Sequence, residues 1–146
     1  MRKTGILLTA AVIAAILHLT LMSPEATMAL SENVRSWLMD NGINFTNAQL
    51  RSDVHVVEYM PLGFVLCIWL GWKKSAVTGS LLGLSDEVFK IFLPTREFSG
   101  IDFSKDIIGV MLGAALYIVF SKLILSAVEK ARKKRKTGKI APDCIG

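Results

Sequence analysis

Cysteine and histidine are scarce, with two of each in 146 residues. Cys67 lies in an apolar run and Cys144 in the tail, so neither a disulfide framework nor a paired zinc or redox motif can be built from them. The segment His55-Val56-Val57-Glu58 lacks the second histidine of a metalloprotease helix and the glutamate beside the first. No glycine-rich phosphate loop and no serine nucleophile elbow is present. Aromatic residues make up 8% of the chain and none interleaves with the basic tail, which sets nucleic-acid binding aside. No cofactor-binding motif is found.

Apolar residues are abundant. They form 52% of the sequence and the mean hydropathy is +0.48, too apolar for an ordinary soluble domain of this size. Gly5 to Met22 is an uninterrupted apolar stretch behind Arg2 and Lys3. It suits a first membrane span or the front of a signal peptide, and Thr27-Met28-Ala29 imitates a cleavage site poorly, which favours a retained helix. His18 within it reads as an interfacial or packed residue. Pro24 ends that helix. Leu30, Val34, Trp37 and Leu38 then recur at helical spacing between Ser31, a plausible N-cap, and Asn41-Gly42, and this predicts a short amphipathic helix on the membrane surface. Further spans are expected at Val54–Trp72, Ser75–Leu93 and Ile107–Val128. The expected fold is therefore all-α, an integral membrane bundle of four transmembrane helices with an interfacial helix in the first exterior loop. Residues 1–128 form this domain and residues 129–146 a basic tail.

Lys and Arg outnumber Asp and Glu by 17 to 12, and the excess is concentrated at Lys130, Arg132 to Lys136 and Lys139. Such a cluster beside a span holds to the anionic inner leaflet at about 1 kcal/mol per basic residue. With Arg2, Lys3, Lys73 and Lys74 on the same side, the positive-inside rule places both termini in the cytoplasm.

The costly feature is Ser85-Asp86-Glu87-Val88-Phe89-Lys90, which sets two carboxylates and an amine inside an apolar segment. Each charge near a bilayer centre costs about 2.5 to 3.5 kcal/mol on insertion scales. At a rise of about 1.5 Å per residue the pair sits about 10 Å below Pro94, in the outer leaflet. His55, Glu58 and Tyr59 open the second span at the same height, Asp106 opens the fourth, and Arg96, Glu97, Asp102 and Lys105 lie in the loop above. His55, Glu58, Tyr59, Asp86, Glu87, Lys90, Arg96, Asp102 and Asp106 are thus the candidate polar site. Two uses are open: a polar cavity, or a salt-bridge lock between helices. The site is read without a metal, although carboxylates with one imidazole at Asp86, Glu87, Asp106 and His55 would suit magnesium, manganese or zinc. Gly79-x-x-x-Gly83 and Gly109-x-x-x-Gly113 predict close packing of the third and fourth spans.

In order along the chain, these motifs resemble the VanZ-like family, named for a teicoplanin-resistance protein. His55-Val56-Val57-Glu58-Tyr59-Met60-Pro61-Leu62-Gly63 is similar to its His-Phe-x-x-Tyr-x-x-Leu-Gly signature. Asp86 to Arg96 is similar to its Asp-Glu-x-x-Gln-x-Phe-x-Pro-x-Arg block, with Lys90 for glutamine. Asp102-x-x-x-Asp106-x-x-Gly109-x-x-x-Gly113 resembles its last motif, and Ser23-Pro24 its Ser-x-x-Pro region at shorter spacing. Asp53-Val54 stands where many members have Asp-Lys. The resemblance implies a bacterial, multi-pass inner-membrane protein and a retained first helix. It also implies a link to glycopeptide resistance, which fold alone does not carry to this chain.

The functional expectation is a membrane protein, non-enzymatic or not demonstrably enzymatic, that binds a lipid or a lipid-linked cell-wall component at the outer-leaflet site. Arg96, Lys105 and Lys90 would meet an anionic headgroup. The alternatives are an intramembrane enzyme on a lipid phosphate, with Asp86 or Glu87 as general base and His55 as proton partner, and a structural assembly subunit.

Overall fold

The computed structural model describes residues 2–44, 46–93 and 97–137, the side chains of 24, 47, 48, 51, 52 and 134–137 excepted. Among them the chain is all-helical: α1 (Arg2–Leu21), α2 (Pro24–Asp40), α3 (Asn47–Leu70), α4 (Trp72–Lys90) and α5 (Gly100–Thr137). Three helices carry segments long and apolar enough to cross a membrane, Arg2–Leu21, Asp53–Leu70 and Gly100–Lys133. Helix α4 has 19 residues, but Lys73, Lys74, Asp86, Glu87 and Lys90 interrupt its apolar character.

Helix α1 buries only Gly5, Thr9, Ile16 and Thr20, a single helical stripe. The Thr9 hydroxyl donates to the Gly5 carbonyl at 2.8 Å, and the Thr20 hydroxyl, 3.1 Å from the Ile16 carbonyl, also has an acceptor on another helix. The remaining surface is mostly apolar, with Leu7 and Leu21 exposed, as a helix solvated by lipid requires.

Several boundaries differ from the expected ones, for local reasons. Ser31 is not an N-cap: its hydroxyl bonds the Thr27 carbonyl at 2.8 Å inside α2. The cap is Ser23, whose Oγ accepts from Ala26 N at 3.2 Å with Pro24 in the first turn, where proline's missing N–H costs nothing. Helix α3 starts seven residues before Val54 because Thr46 and Gln49 form a capping box. Helices α3 and α4 are separated by Gly71 alone, at φ 75° and ψ 163°. That reversal makes Trp72, Lys73 and Lys74 the start of α4. Helix α5 runs well beyond Ile107–Val128 in both directions, for 38 residues, so Asp102 and Lys105 lie on a helix and the basic segment is helical to Thr137.

The most extensive helix contact is between α3 and α5, and it is a contact of backbones. A Cβ on Gly109 would lie 2.5 Å from the Val56 carbonyl oxygen, and one on Gly113 would lie 2.8 Å from Phe64 N. From the opposite side a Cβ on Gly63 would lie 2.8 Å from Val110 Cα. Gly109 and Gly113 therefore serve α3 and not the glycines of α4. Gly79 and Gly83 admit Val110 and Asp106 of α5, with hypothetical Cβ distances of 2.6 Å to Val110 Cγ1 and 3.0 Å to Asp106 Cβ. Tyr59, Leu62, Leu66, Val110 and Ile16 fill the core between α1, α3 and α5. At the Gly71 end, Ser75 donates to the Gly63 carbonyl at 2.9 Å, and Trp69 Nε1 donates to Thr9 at 3.0 Å. Cys67 is buried as a free thiol.

Gly113→Ala forces α3 and α5 apart and is expected to cost about 1–3 kcal/mol. Gly71→Ala is expected to cost a similar amount, about 1–3 kcal/mol, through its backbone conformation alone. Thermal unfolding in detergent measures both. Gly100→Ala, where nothing lies within 4 Å of an added Cβ, is the control that leaves the midpoint nearly unchanged.

Candidate functional site

Helices α1 and α4 end, and α3 and α5 begin, at the same end of the bundle. Their polar residues meet there. Helix α4 presents Asp86, Glu87 and Lys90 on one face, since positions three and four apart coincide. All three are buried, Glu87 completely. Lys90 Nζ is paired with Glu87 Oε1 and stands 3.6 Å from Asp86 Oδ2. The other Glu87 oxygen accepts the Ser99 backbone N–H at 3.0 Å. Asp86 Oδ1 accepts the Thr20 hydroxyl at 2.7 Å, which ties α1 to α4.

A second group joins α3 to α5. His55 Nδ1 lies 3.0 Å from Asp106 Oδ1, and His55 Nε2 lies 3.9 Å from Asp102 Oδ2. Asp106 is wholly buried, and its other oxygen, Oδ2, has no hydrogen-bond partner among the described residues. It lies against Gly83, where a Cβ would come within 3.4 Å of it. The close approach of α3 and α5 at Gly109 sets this pair, because the Val56 carbonyl rests on that glycine one residue beyond His55. Asp102 is held by Ser99, whose Oγ accepts its N–H at 3.2 Å.

The two groups are contiguous. One ligand-type atom each from His55, Glu87 and Asp102 lies within 4.8 Å of the others. Glu58 is half-buried within electrostatic reach of His55, Asp86, Asp106 and Lys90, and makes no hydrogen bond or ion pair among the described residues. Tyr59 is buried between Gly83 and Gly109 and acts as packing. Arg96 lies outside the described residues, as do Pro94, Thr95, Lys139 and Cys144. Lys105 pairs with Asp53 at 2.7 Å, and the Asp53 side chain is exposed. Neither Lys90 nor Lys105 therefore stands as an uncommitted cation.

Two members of the cluster escaped the reading of the sequence. Thr20 is a hydroxyl eleven residues after Thr9 in an otherwise apolar helix, and the stripe they share was the available signal. Ser99 heads a Ser-x-x-Asp capping pattern with Asp102, which marks the true start of α5. His18 is exposed on α1 and takes no part.

Lipid-length apolar helices gathered around a buried polar cluster define this chain as an α-helical membrane protein. It belongs to the VanZ/LLP1 family, whose model matches residues 6–121. No curated protein and no solved structure matches the chain.

Lys90→Met leaves two buried carboxylates without their counter-ion, and a loss of about 3–5 kcal/mol is expected, as for the breaking of other buried pairs. Neutralising Glu87 as well, in Lys90→Met with Glu87→Gln, should recover much of that loss. A double-mutant cycle on unfolding in detergent measures the coupling.

Proposed function

We propose that this is a four-span protein of the bacterial inner membrane that binds a lipid or lipid-linked envelope component. The observation that carries the reading is an open apolar groove on α4 and α5, two of the helices that also carry the buried polar cluster. The groove, about 360 Å³, is lined by Ala76, Val77, Ser80, Leu81, Leu84 and Phe103. Leu84 stands one helical turn before Glu87 on α4, and Phe103 directly follows Asp102. An amphiphile would lay an acyl chain along α4 and set its headgroup against Asp102, Glu58 and His55, the half-buried members of the cluster.

Helix α4 serves as the fourth span in this reading. Its 19 residues extend about 28 Å at about 1.5 Å per residue, close to the hydrocarbon thickness of about 30 Å. Its charges are confined to its two ends, and its acidic end is partnered by Thr20 of α1 and by Ser99 at the entry to α5. The basic end of α5, with Arg2, Lys3, Lys73 and Lys74, would face the cytoplasm, and the polar cluster the outer leaflet. Exposed Leu30, Val34 and Trp37 would set α2 on the membrane surface. Residues 1–128 would be the membrane domain and 129–146 a basic extension against anionic lipid. Any bearing on glycopeptide susceptibility would act through the same envelope component.

Native mass spectrometry of the detergent-solubilised protein tests the binding. Leu81→Trp fills the groove and Glu58→Gln neutralises the mouth of the cluster. Both should lower the amount of retained lipid while the helical spectrum is preserved. Unchanged lipid in both folded variants would remove the reading.

The His55–Asp106 pair favours one further reading, an intramembrane enzyme acting on a lipid phosphate. A buried carboxylate that orients an imidazole is the arrangement of a general base and its support. Headgroup turnover in reconstituted vesicles, lost in His55→Gln, would distinguish the enzyme from the binding protein.

A further inference from the structure

We propose that His55, Glu87 and Asp102 form a binding site for one divalent metal ion of the zinc or manganese kind. The three residues come from α3, α4 and α5, and their ligand atoms already lie within 4.8 Å of one another. The His55 ring is oriented for the task. With Nδ1–H donating to Asp106 Oδ1 at 3.0 Å, the lone pair is on Nε2, the nitrogen 3.9 Å from Asp102 Oδ2. A carboxylate behind a ligating imidazole is the usual support of a metal-bound histidine, since it selects the tautomer and raises the basicity of the ring.

The buried Asp106 is an independent indication. It has no exposed surface, and its Oδ2 has no partner among the described residues. With Asp86, Glu87 and Asp102 it makes four carboxylates at one place, against one ammonium, that of Lys90, among the described residues. In a low-dielectric setting such an excess is relieved by protonation or by a further cation, and a divalent ion between the ligand atoms would supply the latter. Glu87 can supply a ligand without releasing its partners, because its two oxygens offer about four lone-pair sites and Lys90 and Ser99 take two. One nitrogen and two carboxylate oxygens, with no sulfur, suit zinc or manganese. Three protein ligands would leave a coordination position open. The partial exposure of the side chains of His55 and Asp102, 17% and 28%, provides the entry path.

The ion and not the lipid is the readout. Untagged full-length protein in detergent, stripped with chelator, is titrated separately with zinc and manganese, and bound metal is counted after dialysis. One ion per chain is expected for at least one of the two metals. Asp102→Asn and His55→Gln should each weaken binding about tenfold or more, and Asp106→Asn about 10- to 100-fold through loss of the orienting carboxylate. Asp53→Asn, at the separate surface pair, should bind as the parent does. Asp102 is the decisive position, because its partial exposure lets the folded state survive the change, as circular dichroism would verify. Absence of stoichiometric uptake overturns the proposal, and so does uptake that Asp102→Asn leaves unchanged. Retained lipid without metal overturns it while sparing the lipid reading; metal without lipid does the reverse.

Discussion

The close approach of α3 and α5 is the constraint on which the rest of the structure depends. Gly63, Gly109 and Gly113 let the two backbones meet, and in lipid, where burial of apolar surface gives little drive for helix association, such packing is a main source of cohesion. The same contact holds His55 beside Asp106. Gly79 and Gly83 extend it to α4, seating Val110 and Asp106 against the helix that carries Asp86, Glu87 and Lys90. The glycines are thus the means by which charges from three helices reach one place.

The cluster has two parts with different characters. Around Lys90 the charges are closed: Glu87 and Asp86 flank the ammonium, and Thr20 and the Ser99 N–H take remaining carboxylate oxygens. This part has the form of a lock between α1, α4 and the start of α5. Around His55 the arrangement is open, with Glu58 unpaired among the described residues, Asp106 Oδ2 without a partner, and Asp102 partly exposed. The cluster thus divides into a closed part with the form of a lock and, beside it, a more open part around His55.

This division also changes the charge expected at the mouth. From the order of residues, Lys90 and Lys105 looked like contacts for an anionic headgroup. Each is committed to a carboxylate of the same chain, and among the described residues the half-buried members of the cluster are acidic apart from His55. A cation is what such a surface attracts.

Helicity, the apolar stretches and the candidacy of the Asp86-Glu87 pair were legible in the sequence, because hydropathy, helical period and the cost of a charge in lipid are local properties. So was the set of His55, Glu58, Asp102 and Asp106, since the antiparallel order of the helices brings their ends to one level. Helix limits were less legible: Ser23, Thr46, Gly71 and Ser99 decide them through single caps and one positive φ, signals easily masked by the stronger apolar pattern. The pairing of Lys90 with the acids was legible from their spacing on one helix, but partner choice between helices was not. That Gly109 meets Val56 and not Gly79, and that Thr20 reaches Asp86, depend on which helix faces turn toward each other. The sequence by itself determined a helical membrane protein with charges at one end of its spans. Only the tertiary structure decided which of those charges neutralise one another and which remain open, because that outcome is set by distances of a few ångströms between helices far apart in the chain.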